Sequence, residues 1–304
     1  MRGKRERVPG SRKRTCREAF AIAFCAFLLG AGVSRGGELS EEFNADASYV
    51  GGAPTHLDHS RVGDVSEEEN LVHFAVSKQI GDGPMIRVGA EWEHFSFGLP
   101  SAAPLPDTLQ GVSLILGVDL ELFNWLVRIE AQPGLYGATA GLNGKDFNVP
   151  WIIGGSYIVS PDLQWVLGLS FDADREWVVL PGIGLRWKMA EKWTLNAIPP
   201  NPRLEYALTP SCNLYAGGDF KDGTFRASDS FGNAHGRPRL DNAVVEYDEF
   251  RVGVGVDWKI SDSFTFDAET GYMPYRDFDF HRAGAKYQTY SGAAYGQIAL
   301  SAKF

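Results

Sequence analysis

The sequence predicts an all-β protein: an antiparallel, up-and-down transmembrane β-barrel of about fourteen strands, with twelve as the alternative count. Three observations carry the prediction. Beyond residue 36, apolar and polar residues alternate from end to end, the period of a strand with two unlike faces. No apolar run in that region reaches the roughly 20 residues that a membrane helix needs, whereas about 9–11 residues suffice for a spanning strand. The connections also alternate in kind, short turns with longer polar loops, as on the two sides of a membrane barrel.

Taken in order, the alternating segments lie at about 43–50, 70–79, 85–97, 111–122, 125–137, 149–159, 164–172, 177–189, 193–199, 203–209, 212–224, 243–260, 264–280 and 291–304. Short turns fall at Gly81-Asp82-Gly83, Phe123-Asn124, Pro161-Asp162, Ala190-Glu191-Lys192, Thr209-Pro210-Ser211 and Ser261-Asp262-Ser263, mostly residues that interrupt a strand. Longer connections are expected at 51–69, 98–110, 138–148, 173–176, 200–202, 225–242 and 281–290. The hairpin 193–209 is built around Pro199-Pro200-Asn201-Pro202, and proline removes a ladder donor, so its arms should be short and its tip irregular. Losing that hairpin gives the twelve-strand alternative. In the last segment Ala294, Gly296, Ile298, Leu300, Ala302 and Phe304 share one face, while Tyr295, Gln297, Ala299, Ser301 and Lys303 share the other.

One face of nearly every segment is free of charge, as in Val112/Leu114/Leu116/Val118/Leu120/Leu122 and Phe250/Val252/Val254/Val256/Trp258/Ile260; Lys78, beside a turn, is the exception. That face holds all eight tryptophans, near strand ends: Trp125, Trp165, Trp187, Trp193 and Trp258 by short turns, Trp92, Trp151 and Trp177 towards the long loops. With Phe304 they form the aromatic girdle of a barrel at its two interfaces. The opposite, lumen-lining face is ionic. It carries Asp46, Glu91, Glu93, Asp119, Glu121, Glu130, Glu205, Asp219, Asp257, Asp267 and Glu269 against Arg87, Arg128, Arg186, Lys188, Arg203, Arg251 and Lys259, a balance near −4. Such a lumen favours cations if it is open; if narrow, its charges pair across it and hold it shut.

The N-terminus reads as a signal peptide, residues 1–36. Arg2 to Arg17 form a basic stretch, Ala19–Val33 is uncharged, and small residues suited to cleavage lie at Gly32–Gly37. The barrel domain is then 38–304. Removing the signal takes away nine Lys/Arg and leaves an acidic chain, unsuited to nucleic acid. Cys16 and Cys25 leave with it, so Cys212 has no partner for an internal disulfide.

The terminal strand ending at Phe304 resembles the assembly signal of bacterial outer-membrane β-barrels. That likeness implies the outer membrane as location, its lipid as surroundings, and the barrel-assembly machinery as the partner that reads the C-terminal strand. A more specific likeness lies in Leu180-Pro181-Gly182-Ile183-Gly184-Leu185-Arg186-Trp187, Glu191-Lys192-Trp193-Thr194-Leu195, Pro202-Arg203-Leu204-Glu205-Tyr206, Glu269-Thr270-Gly271-Tyr272 and Arg276. These segments resemble a family of bacterial outer-membrane β-barrels known as a domain of unknown function, over about residues 70–304. The resemblance implies a barrel and carries no activity or functional residues.

Candidates for chemistry are few. His94 and Ser96 share the parity of a lipid-face Ser-His pair, with no acidic or amide residue in view to orient the histidine. Asp277, Asp279 and His281 alternate along one face, a spacing that presents two carboxylates and an imidazole together, and read as a solvated rim. Glu67-Glu68-Glu69 and His56/His59 read as a solvated loop, and Asp172–Glu176 lacks the glycine of a calcium loop. No cofactor, metal site or catalytic residue is assigned, and an enzyme is not expected. A passive, porin-like channel for ions or small solutes is the leading expectation. The alternative is a closed structural or surface-binding barrel, working through loops 51–69 and 225–242. Mass spectrometry of the membrane-purified protein should find its N-terminus between residues 32 and 38; a retained Ala19–Val33 segment would contradict the signal-peptide reading.

Overall fold

The computed structural model describes residues 39–57, 60–100 and 103–304. The signal-peptide expectation lies outside the described residues. Fourteen antiparallel strands follow one another: β1 Leu39–Leu57, β2 Ser60–Gln79, β3 Met85–Gly98, β4 Thr108–Leu122, β5 Trp125–Ala131 with Gly134–Gly137, β6 Phe147–Asn148 with Trp151–Ser160, and β7 Leu163–Phe171. Then come β8 Val179–Ala190, β9 Trp193–Asn196, β10 Arg203–Thr209, β11 Cys212–Arg226, β12 Val244–Lys259, β13 Phe264–Phe280, and β14 Ala285–Thr289 with Ala293–Lys303. Consecutive strands pair, and β14 returns to β1 from Glu42↔Lys303 to Val50↔Tyr295, closing the sheet into a barrel. The count is fourteen, not twelve: β9 is only four residues long, but it pairs with both β8 and β10.

The registers place the apolar alternation outside. Val88, Val112, Leu114, Leu116, Leu167, Ile183, Val254 and Ile298 are exposed large hydrophobics on the outer face, a surface that water alone would not support at this size. Rings gather at its two borders. Near the short turns Trp125 lies 5.3 Å from Tyr157, Trp193 4.9 Å from Tyr206 and Phe264 5.7 Å from Phe304. Towards the long loops Trp151 stacks on Phe171 and Phe220 on Phe250, each pair at 4.5 Å.

Three expectations of the sequence are corrected. Residues 51–69 are not a loop: β1 and β2 continue pairing through them as far as Leu57↔Ser60. Gly51-Gly52, at the start of the expected loop, form a β-bulge between Val50 and Ala53 that restores inward alternation on its far side. Connection 225–242 is not a free surface loop. It folds a short helix, α1 (Phe231–Ala234), inward, burying Phe231 and Leu240. In β13 the phase changes at Pro274. Up to Gly271 the odd residues face inward, whereas beyond the bulge Arg276 pairs inward with Glu249 and Phe278 with Tyr247. Pro274 cannot donate to the ladder, which localises the bulge. Gly292 passes beneath it, where an added Cβ would lie 1.7 Å from the Met273 carbonyl oxygen.

The wall does not keep fourteen strands over its whole height. Gln132-Pro133 interrupts β5, and above the break Gly137 pairs in parallel with Arg226 of β11, reinforced by a 2.8 Å bond from Ala138 N–H to the Arg226 carbonyl. The long-loop end is thereby pinched into a smaller ring that bypasses β6–β10. The two faces predict different tolerances to substitution. Leu116→Arg puts a charge on the outer face and should cost about 2–4 kcal/mol. Asp119→Asn removes only a partly exposed pair with Arg128 and should cost about 1 kcal/mol or less. Urea unfolding of the refolded protein, followed by tryptophan fluorescence, measures both.

Candidate functional site: the charged lumen and its cap

Inward alternation brings the charged residues of the lumen together in three networks. Nearest the seam of β1–β5, His73 Nδ1 lies 2.9 Å from Glu91 and its Nε2 3.1 Å from Glu42. Arg87 binds Glu42 and lies 3.2 Å from Glu130. On the opposite wall Arg203 lies over the Tyr215 ring at 4.0 Å and reaches Asp267 at 3.4 Å and Glu269 at 3.7 Å. Tyr215 O–H donates to Asp267 at 2.8 Å, and Tyr295 donates to Glu269.

The third network closes the lumen. Glu67, Glu69, Glu249, Arg251 and Arg276 are wholly or almost wholly buried, although each is charged. Arg251 Nη2 donates to Glu67 at 2.8 Å, its Nη1 lies 3.1 Å from Glu69, and its Nε donates to Glu249. Arg276 spans Glu249 at 2.5 Å and Glu67 at 2.8 Å. Lys221 adds a third cation, 2.6 Å from Glu69 and 3.3 Å from Asp219. Ser48 donates to Glu69 at 2.9 Å, and Tyr247 donates to Glu67 at 2.5 Å. Three carboxylates thus face three cations with hydrogen bonds filling the remaining lone pairs, the condition for ions to be tolerated out of water.

Directly above, towards the long loops, the filling becomes apolar. Phe95, Phe97, Phe225, Tyr247, Phe278 and Phe280 pack with Leu105 and Leu240 into one buried cluster. Phe97 meets Phe278 edge-on at 5.0 Å, and Tyr247 lies 5.0 Å from Phe95. Below the network the short-turn end of the lumen is open to solvent, with Arg186, Lys188 and Glu121 exposed. Pairing places Asp119 with Arg128 there in two 2.7 Å bonds, and Glu205 and Asp257 on the same inner face of β10 and β12.

Of the residues singled out in the sequence, Arg87, Glu91 and Glu130 meet in the first network, Arg203, Asp267 and Glu269 in the second, and Arg251 in the third. Glu93 pairs across from Leu71 on the inner face, near Glu130 and Asp222, around a cavity of about 220 Å³. Lys188, Arg186, Glu121 and Arg128 stay apart at the open end. Sequence reasoning missed Glu67, Glu69, Lys221, Glu249 and Arg276. Strict alternation from Asp219 and Arg251 would have found Lys221 and Glu249. Glu67 and Glu69 continue the unbroken alternation of β2 from His73 but lay in the stretch 51–69 read as a loop, and Arg276 lay behind the Pro274 bulge.

The chemical candidates do not assemble. His94 stacks on Trp92 at 5.7 Å, and no hydrogen bond joins it to Ser96 among the described residues. The pair expected as a solvated rim is instead covered: Asp277 is wholly buried, and it and Asp279 share Lys286 at 2.8 and 3.0 Å, while His281 lies 3.8 Å from Glu246. In the exposed turn after β12, Lys259 donates to Asp262 at 2.9 Å and holds that carboxyl below its ordinary range. No group of three or more metal-ligating side chains is found among the described residues.

A family model matches residues 85–299, from the start of β3 almost to the end of β14. The chain belongs to that family, Domain of unknown function (DUF6268). The DUF6268 match takes in Lys221, Glu249, Arg251 and Arg276 and leaves out Glu67 and Glu69. Among curated proteins none matches the sequence. Among solved structures the chain is similar to the COG4313 outer membrane channel from Pseudomonas putida F1, at 11% identity and TM-score 0.48, covering 90% of this chain and 98% of that one. It is also similar to a deletion mutant of the TodX monoaromatic hydrocarbon channel (9%, TM-score 0.40, 89% and 91%) and to the NanC porin (10%, TM-score 0.39, 86% and 100%).

The closing network makes a quantitative prediction. Arg251→Ala leaves Glu67, Glu69 and Glu249 short of a cation and should destabilise the barrel by about 3–5 kcal/mol. Tyr247→Phe removes one hydroxyl from the same carboxylates and should cost about 1 kcal/mol. Denaturant midpoints of the two refolded variants test the order.

Proposed function

We propose that the protein is an outer-membrane channel for small solutes, entered from the periplasm and closed towards the outside by its own ionic network and aromatic cap. The observation that carries this reading is the division of the lumen: charged and exposed to solvent at the short-turn end, buried around Arg251 and Arg276 at the other. An exposed apolar outer face bounded by two sets of rings supports a membrane around the barrel. In such barrels short turns lie on the periplasmic side and long loops outside, which supports the stated orientation. Transport would be passive, and the reading gives no side chain a catalytic role.

The charge of the lumen supports a preference once it is opened. In the ionic networks Glu42, Glu67, Glu69 and Glu249 join the inward acids, and Lys221, Arg276 and the histidine His73 join the cations. Fixed carboxylates in a confined lumen concentrate counter-ions, and salt screens the effect. In planar bilayers the native protein should show little steady ion current. Arg251→Ala should raise conductance several-fold and carry K⁺ in preference to Cl⁻, with the preference fading at high salt. A large, constant current in the native protein would contradict the built-in closure. Silence in both proteins would favour the closed structural barrel instead.

A further inference from the structure

We propose that an apolar solute passes between the lumen and the membrane sideways, through a window in the barrel wall between β8 and β11. This rests on the channel reading and names its substrate class: small, uncharged, aromatic or short aliphatic molecules.

The window follows from the strand pairing. β8 pairs with β7 along its length, from Val179↔Phe171 to Trp187↔Leu163. On its other side β9 reaches only from Ala190 to Arg186, with one more bond from Ala197 N–H to the Leu185 carbonyl. The stretch Val179–Gly184 therefore has no strand beside it on that side. β11 is in the same position above Phe220, whose N–H donates to Pro200 at 3.0 Å, until Arg226 meets Gly137. Below, the proline tip of the β9–β10 hairpin forms the sill. Above, the β7–β8 connection is clasped across the gap: Arg175 to Asp222 at 2.5 Å, Thr224 to Asp172 at 2.7 Å, and Arg226 to Asp174 at 3.0 Å. Proline at 181, 199, 200 and 202 suits strand edges that lack a partner. A free edge is not tolerated against lipid but is tolerated where it lines a cavity.

A cavity of about 650 Å³ occupies this gap, within the range of small-molecule sites. Its lining includes inward Gly168 and Gly182 and outward Ile183, Phe220 and Phe250, so it has walls on both faces of the barrel. Gly154, Gly168 and Gly182 pair directly across β6, β7 and β8, a row without side chains leading to the window. A Cβ at these three positions would meet nothing closer than 3.5 Å, so packing does not demand glycine there. The row leaves a passage. Most of the lining is apolar, and the charges at its inner edge are committed elsewhere, Lys221 to Glu69 and Glu249 to Arg251 and Arg276. Asp222 is held by Arg175, which leaves the carboxylate of Asp248 and no free cation in the lining, so an anionic solute finds no counter-charge there; an apolar one finds Leu169, Pro181, Ile183, Ile198 and Phe220.

The test is initial uptake of N-phenyl-1-naphthylamine by cells with truncated lipopolysaccharide, whose outer leaflet admits the probe so that it can reach the window, and which express the full chain. The native protein should raise the rate several-fold over cells without it. Gly182→Trp, which fills the row, should return the rate to background, while the Arg251→Ala/Gly182→Trp double variant keeps the ion conductance of Arg251→Ala. Gly168→Phe serves should Gly182→Trp not fold, as judged by heat-modifiable gel mobility. Uptake unchanged by a folded filling variant overturns the window, and so does background uptake by the native protein, even where Arg251→Ala conducts ions. Window-dependent uptake with no current through Arg251→Ala would instead overturn the axial channel and keep the window.

Discussion

A strand edge surrounded by lipid must find a hydrogen-bonding partner, and that demand organises this barrel. Fourteen strands can close a wide wall only if each is as tall as its neighbours. β9 is four residues long because Pro199, Pro200 and Pro202 cannot extend its ladder, and β10 begins only at Arg203. Above them the wall would be open. The chain resolves this by breaking β5 at Pro133 and pairing Gly137 with Arg226, so that the long-loop end closes as a smaller ring. The pinch has two consequences, a narrow upper lumen and a gap beneath it.

The narrow upper lumen explains why charges can be buried so deeply there. In a wide pore Glu67, Glu69 and Glu249 would keep their water. Here they face Arg251, Arg276 and Lys221 at 2.5–3.1 Å, with Ser48 and Tyr247 completing their hydrogen bonds. Planar guanidinium groups suit this role because one arginine can bind several carboxylates in fixed directions. The aromatic cap above excludes bulk water, which strengthens each ion pair and raises the penalty for removing a single member. Ionic and apolar layers therefore seal the same end together.

The gap below the pinch gives the family-like segments a common location. The first half of Leu180–Trp187, up to Gly184, lies on the free edge of β8, Pro202–Tyr206 follows the sill, and Arg276 belongs to the closing network. Segments far apart in the chain thus meet where the wall is interrupted and where the lumen is shut. Axial closure and lateral opening are two results of one shortened hairpin.

The sequence by itself determined the architecture, which face of nearly every strand is apolar, and the positions of the aromatic rings; the choice of fourteen strands over twelve came from the pairing of β9. Those features follow from period-two alternation and turn residues, which are local. It also placed Arg87, Arg203, Arg251 and Glu269 on the inner face. Only the tertiary structure decided that Glu67 and Glu69 lie at the centre of a sealed lumen rather than in a solvated loop. The stretch 51–69 reads as a loop until its pairing shows two continuous strands with a bulge at Gly51-Gly52. Pro274 likewise shifts the phase of β13, and one residue of shift moves Arg276 from the outside to the inside. The pinch at Gly137 and Arg226 joins residues almost ninety positions apart through backbone atoms, which carry no mark in the side-chain pattern.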